Sequence, residues 1–184
     1  MAGKRALEVL DLGANIGMFG AWLLGRYPAA RVVALEADPD NAAVHALTVS
    51  ANSAKYAWEL IPAAAGTSEG EVDFLAGAAT NSRLAEPGEE ATVVEMRDVF
   101  DYTDHVDLLK LDIEGAEWAI LEDERFSSVA ASVVALEFHA ARCGHAEPRH
   151  YARELLARAG YDLYDSEFAA EPGHGLVWGV RAER

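Results

Sequence analysis

The segment 107–118, DLLKLDIEGAEW, sets a lysine and several carboxylates along what reads as a buried strand and the turn after it. A charge inside such a strand is expensive unless it is paired or put to use. Side chains alternate faces along a strand, so Lys110, Asp112 and, if the strand runs on, Glu114 share one face, opposite Leu109, Leu111 and Ile113. The run SVVALEFH at 132–139 repeats the arrangement, with Glu137 and His139 opposing Val134, Leu136 and Phe138. If the two strands are neighbours, these polar groups converge at one rim. Carboxylates beside an imidazole are the parts of general acid–base chemistry. His139 is the first candidate base, because an unperturbed imidazole titrates near neutrality. Asp112 and Glu137 follow, as bases or as groups that orient His139. A cationic Lys110 lowers the pKa of a nearby carboxylate, which favours an orienting role for Asp112. The purely structural account is a neutralising network of Lys110 against Asp112 or Glu137. Glu117 and Trp118 fall in the next helix, where surface or packing roles are expected. Asp112, Glu137 and His139 are also oxygen and nitrogen ligands, but there is no dedicated cage and Lys110 competes for the space, so no metal is expected.

A second cluster opens the chain. VLDLGANIG at 9–17 is an apolar strand running into a glycine turn, with Asp11, Gly13, Asn15 and Gly17 forming D-x-G-x-N-x-G before a helix. The glycines allow backbone to approach a ligand, and the helix start offers free N–H groups. Glu36 ends the next strand with a carboxylate suited to two ribose hydroxyls. Together they point to an adenosine cofactor. GANIG departs from the dinucleotide pattern G-x-G-x-x-G, and Asp11 would repel a pyrophosphate. A carboxylate there suits an ammonium or sulfonium group, which favours S-adenosylmethionine over NAD.

The elements that must position these groups alternate along the chain. Strands are expected at 7–12, 31–36, 57–62, 106–112 and 132–139. Helices are expected from Gly17 to Tyr27, with Phe19, Trp22, Leu23 and Tyr27 on the sheet, and after Asp38-Pro39, with Val44, Leu47 and Ala51 on one face. Others follow Asp112 as far as Glu124 and run from Pro148 to Ala159. Residues 66–100 are less regular: EVDFLA and TVVEM flank a loop, about 77–91, that is a candidate lid or a plain surface loop. YDLYDS and GLVWGVRA, joined through EPGHG, read as an antiparallel hairpin. The fold class is therefore α/β: a doubly wound, mostly parallel sheet with helices on both faces and a C-terminal antiparallel hairpin. Such sheets bind ligands outside the carboxyl ends of their strands, beside the point where strand order reverses.

The 184 residues are read as one domain, 1–184, with a net charge of -16 that argues against nucleic acid as a partner. No stretch approaches the roughly 20 apolar residues of a membrane span, and no signal-peptide core precedes the first strand, so a cytoplasmic location is expected. Cys143 is the only cysteine, which excludes an internal disulfide. His45, His105, His145, His150 and His174 read as surface or loop residues.

LDLGANIG at 10–17, LEADPDN at 35–41, VDLLKLDIEGAEWAIL at 106–121 and LEFH at 136–139 resemble the FkbM family of S-adenosylmethionine-dependent methyltransferases, over nearly the whole chain. The D-I-E-G-A-E segment is the most specific part, because many methyltransferase families share the glycine turn. The resemblance implies a class I, Rossmann-like fold and methyl transfer from S-adenosylmethionine, most often to a hydroxyl of a small molecule, sugar or natural product. It implies that Asp11, Gly13, Asn15 and Gly17, with Ala14, hold the methionine end, and Glu36, with Ala37, the ribose. It sets PAAAG at 62–66 beside the adenine through Ala64, and Asp112 and Glu114 at the junction of cofactor and acceptor. Relatives of this kind carry extra elements before the first strand. Without them the acceptor side is expected to be open, or covered by residues 77–91 or by a second subunit in a homodimer. Two other readings use the same residues: a methyltransferase-like domain that acts through a partner without catalysis, and an NAD-dependent oxidoreductase. The Tyr-x-x-x-Lys pair usual in the latter is not found.

Overall fold

The computed structural model describes residues 5–77, 82–165 and 174–181. In chain order its elements are β1 (Glu8–Leu12), α1 (Met18–Arg26), β2 (Arg31–Leu35), α2 (Pro39–Asn52), β3 (Ala57–Ile61), β4 (Ala64–Gly66), β5 (Gly70–Leu75), β6 (Arg83–Leu84) and β7 (Thr92–Asp98). They continue with β8 (Leu108–Leu111), α3 (Glu117–Glu122), β9 (Val133–His139), α4 (Pro148–Arg158), β10 (Tyr161–Asp165) and β11 (His174–Arg181). Seven strands form the main sheet in the order β10-β11-β9-β8-β1-β2-β3. β3, β2, β1, β8 and β9 run parallel, whereas β11 is antiparallel to both β9 and β10. The chain winds outward from β1 through β2 to β3, then returns to the other side of β1 as β8 and β9. The order therefore reverses between β1 and β8, and both charged clusters sit at the carboxyl ends of strands there.

Alternation along the strands divides the core. Leu10, Leu12, Leu109, Leu111, Val134, Leu136 and Phe138 face one side, packed with Trp118, Leu155 and Leu156 of α3 and α4. Val9, Val32, Ala34 and Trp58 face the other, with Leu23 and Leu24 of α1.

Two helices turn differently from the sequence expectation. α1 buries Gly20, Leu23 and Leu24 and leaves Trp22 and Tyr27 at the surface. The reason is Gly20, where a Cβ would come within 2.6 Å of the Trp58 ring, so the closest approach centres on the smallest residue. α2 buries Ala42 and His45 and exposes Val44, Leu47 and Ala51. Alanines ring this helix, so apolar spacing alone cannot select its inner face. His45 is fully buried, not at the surface; its ring fills the notch left by Gly17 and meets Trp58 edge to face at 5.1 Å.

Residues 64–98 build a second sheet, order β4-β7-β5-β6, beyond the two strand-like pieces expected there. β4 follows β3 after a short turn and pairs in parallel with β7. Residues 78–81 of the expected loop and most of the EPGHG turn lie outside the described residues. α3 is shorter than expected, because Asp123 caps a separate 3-10 turn at 124–128. No helix among the described residues is long and apolar enough to cross a membrane.

Candidate active site

At the end of β1 the backbone bends through positive φ at Gly13 (75°), Asn15 (48°) and Gly17 (87°). A Cβ on Gly13 would stand 1.7 Å from the Asp112 carbonyl oxygen, so glycine is demanded there twice over. The Gly13 and Ala14 N–H groups donate to the Leu35 carbonyl at 3.1 and 3.0 Å, which fastens the turn to β2. Glu36 completes the fastening: one carboxylate oxygen accepts from Asn15 N–H at 2.7 Å, the other from Asp38 N–H at 2.8 Å. Burial pushes Glu36 above the usual carboxylate range, against these two donors. The Asn41 side chain is a third donor to this carboxylate, and the residue lines the cavity described below.

Asp38 caps α2. Its Oδ1 accepts from the N–H groups of Asp40 and Asn41, and its Oδ2 from Gly77 N–H and the Ser82 hydroxyl at 2.8 and 2.6 Å. Burial would raise its pKa, but these donors hold it below the usual value. Arg142, beyond β9, donates to the carbonyls of Leu84 and Ala85 at 3.1 and 2.8 Å. The segment 82–85 is thus tied to the β2 end of the sheet on one side and to the β9 end on the other.

Lys110 joins the two strand ends. Its ammonium lies 3.3 Å from Asp11 and 3.2 Å from Asp112, and it donates to the Gly13 carbonyl at 3.1 Å. Burial disfavours the cation, but the two carboxylates more than offset it and raise the Lys110 pKa. Asp11 is fully buried, its carboxyl pushed up by desolvation against the pull of Lys110, and its oxygens receive no further hydrogen bond. Of the partners expected for Lys110 from sequence, Asp112 or Glu137, the ion pair forms with Asp112, and Asp11 is a partner the sequence reading did not name.

At the rim of β8 and β9 the structure adds a residue that strand parity missed. Glu117, the first residue of α3, is fully buried and pairs through Oε1 with His139 Nδ1. The opposite ring nitrogen, Nε2, is 3.4 Å from Glu114. Glu114 reaches that position through a backbone at φ 53°, which turns its side chain off the simple strand alternation. Burial lowers the affinity of His139 for its proton, but the Glu117 hydrogen bond and charge, with Glu114 and Asp112, raise its pKa to about 9. The ring is therefore charged at neutral pH, which corrects the expectation of a base poised near neutrality. Glu137, half-buried, is pushed above the carboxylate range by burial and by Asp112. His174 pairs with His139 across β11 and β9, their rings stacked at 6.2 Å, so it belongs to this rim and not to a distant loop.

A cavity of about 390 Å³ connects the two ends. Of the expected site residues it is lined by Gly13, Asn15, Glu36, Ala37, Ala64, Asp112, Glu114 and Glu137. Asp11, Ala14, Gly17, Lys110 and His139 stand behind that lining; Ala14 packs into the apolar cluster beside α1. Its other walls are Met18, Asn41, Phe74, Ser82, Leu84 and Ile113, among others. Of these, Phe74 and Leu84 come from the second sheet, whose contribution no local pattern announced.

A reversed parallel sheet with a glycine turn after its first strand, an acid ending the second and a cavity across both is the architecture of class I methyltransferases. The methyltransferase FkbM domain model matches residues 11–163, and the chain belongs to that family. Among solved structures, the FkbM methyltransferase from Methylobacillus flagellatus KT aligns at 18% identity with a TM-score of 0.68, over 95% of this chain and 43% of its own. The precorrin-6y C5,15-methyltransferase from Geobacter metallireducens GS-15 aligns at 14% identity and a TM-score of 0.57, over 96% and 81% of the two chains. A putative rRNA methylase from Clostridium thermocellum aligns at 11% identity and 0.59, over 98% and 89%. At such identities the likeness is one of fold, and the present chain spans less than half the length of the M. flagellatus protein. No curated protein matches it in sequence.

Proposed function

We propose that the protein transfers a methyl group from S-adenosylmethionine to a hydroxyl of a small-molecule acceptor. The observation that carries this reading is one cavity that runs from Glu36, at the end of β2, to the carboxylates Asp112, Glu114 and Glu137 at the ends of β8 and β9. The residues fit such a cofactor on three counts. Glu36 is a carboxylate on the cavity wall that can accept from a ribose hydroxyl, Ala63 to Ala65, Phe74 and Leu84 supply apolar walls for a base, and the acidic rim suits a sulfonium and an ammonium. Asp11, buried and paired with Lys110, braces the turn from behind. When bound, the cofactor supplies an electrophilic methyl on sulfur.

The chain's own part is to hold an acceptor oxygen and to receive its proton. Glu137 is the proton acceptor in this reading, since it lines the cavity and its raised pKa brings a carboxylate closer to useful basicity. His139, charged and held by Glu117, orients the acceptor as a donor. Asp112 pairs with Lys110 and fixes the junction, while Lys110 sets the distance between the two strand ends. Residues 82–85 cover the cavity from the second sheet.

The test is incubation with methyl-labelled S-adenosylmethionine and a panel of hydroxylated acceptors, followed by mass spectrometry. A base-stable methyl ether on one acceptor supports the reading. Label on nitrogen or carbon alone, with no oxygen product, overturns the choice of hydroxyl. Glu137→Gln is expected to lower turnover by about 10²–10⁴-fold without weakening cofactor binding.

A further inference from the structure

Asp112, Glu114 and His139 each turn one ligand-type atom toward a common point, and these atoms lie within 4.8 Å of one another. The Glu114 oxygen and His139 Nε2 are 3.4 Å apart. Neighbouring ligands on an octahedral cation with bonds of about 2.1 Å are roughly 3 Å apart, so a shift of a few tenths of an ångström closes this pair on an ion. All three side chains are partly buried; Asp112 and Glu114 line the cavity and His139 stands behind them.

Two independent features distinguish this cluster from a group of surface acids. The first is Glu117. It is fully buried behind the ring, engages Nδ1 through Oε1, and has a second oxygen without a hydrogen-bond partner. A buried carboxylate on the far nitrogen of an imidazole is the outer support that orients metal-binding histidines. The second is charge. Among the described residues, the four carboxylates Asp112, Glu114, Glu117 and Glu137 face Lys110, His139 and, at Glu137, His174, and Lys110 already divides itself between Asp112, Asp11 and the Gly13 carbonyl. Lys110 is thus engaged on the β1 side of Asp112, which answers one of the two grounds on which the sequence spoke against a metal, the competition of Lys110 for the space.

We propose that Asp112, Glu114 and His139 form a divalent-cation site, of the mixed oxygen and nitrogen kind that manganese or magnesium occupies, with its open positions toward the cavity; the cation displaces the Nε2 proton that the metal-free ring carries. Its use depends on the methyl-transfer reading above. An acceptor hydroxyl bound to the cation loses its proton more readily, and Glu137 stands on the same rim to take it.

The test uses the full chain after chelator treatment. Mn2+ is titrated in and free Mn2+ followed by electron paramagnetic resonance, while S-adenosylhomocysteine binding is measured separately by calorimetry. The expected result is saturable binding of one Mn2+ per chain, competed by Mg2+ and lost in Glu114→Gln and Asp112→Asn. Glu117→Gln should weaken Mn2+ binding about 10–100-fold and leave S-adenosylhomocysteine affinity unchanged. Should Glu117→Gln fail to fold, His139→Gln takes its place, with loss of Mn2+ as the expectation. Absence of saturable Mn2+ binding overturns the proposal, as does undiminished binding in both Glu114→Gln and Asp112→Asn. A failure of the methyl-transfer reading would show elsewhere, as absent S-adenosylhomocysteine binding with the Mn2+ site intact.

Discussion

The two ends of the cavity are built by different means. At β1 and β2 the shape is made by backbone: positive φ at Gly13, Asn15 and Gly17, N–H groups fastened to Leu35 and Glu36, and no room for a Cβ at Gly13. At β8 and β9 it is made by side-chain charge: Lys110, Asp112, Glu114, Glu117, Glu137 and His139, several with shifted proton affinity. The first end is held by backbone conformation and hydrogen bonds. The second is held by ion pairs, and so depends on pH and on whatever cation binds. Substitutions should therefore damage the fold at the first end and the chemistry at the second.

The largest expected effect is at Gly13. Gly13→Ala puts a methyl into the Asp112 carbonyl and strains the backbone, and should cost more than ~3 kcal/mol of unfolding free energy, read by chemical denaturation. A tolerated Gly13→Ala would break the contrast, because the first end would then be adaptable.

At the second end, pH should act where mutation acts at the first. His139 has a folded pKa of about 9 against an ordinary value of 6.5. The stability it contributes is fully present below about pH 6.5 and is lost as pH rises through its folded value of about 9. Chelator-treated protein should lose on the order of 2–3 kcal/mol across that window, and Glu117→Gln should flatten the loss. A pH-independent melting temperature in the native chain would mean that His139 is not paired as described.

Glu36→Ala should come next, with S-adenosylhomocysteine affinity reduced about ten-fold or more, ~1.4 kcal/mol, because ribose acceptors vanish and two backbone donors lose their partner. Unchanged affinity would remove Glu36 from the cofactor site. Arg142→Ala should have the smallest effect. Releasing Leu84 and Ala85 from this partly exposed guanidinium should raise the S-adenosylhomocysteine dissociation constant by at most about five-fold, ~1 kcal/mol.

The same contrast explains what could be read from sequence. The first end is local: a strand, a glycine turn, an acid at the next strand end and Asp38-Pro39 at a helix start are each set by neighbours in the chain, and all stand where expected. Parallel strands with two-residue alternation likewise put Lys110 and Asp112 on one side of β8. What escaped is non-local. Glu117 reaches His139 across a turn where Glu114 has positive φ, so alternation stops carrying information three residues before it is needed. The affinity of His139 for its proton then follows from a partner 22 residues away. The inner faces of α1 and α2 depend on how Gly20 meets Trp58 and how His45 meets Gly17, not on the count of apolar residues. β4, an Ala-Ala-Gly segment, carries no strand signal of its own and is made a strand by β7.

The central claim, that the two strand ends form one S-adenosylmethionine site, is tested most directly by thermal unfolding of the full chain with S-adenosylhomocysteine or with NAD. At 100 times its dissociation constant, S-adenosylhomocysteine should stabilise the protein by about 2.7 kcal/mol, with a smaller gain in Glu36→Ala and none from NAD. Stabilisation by NAD with no response to S-adenosylhomocysteine would contradict it.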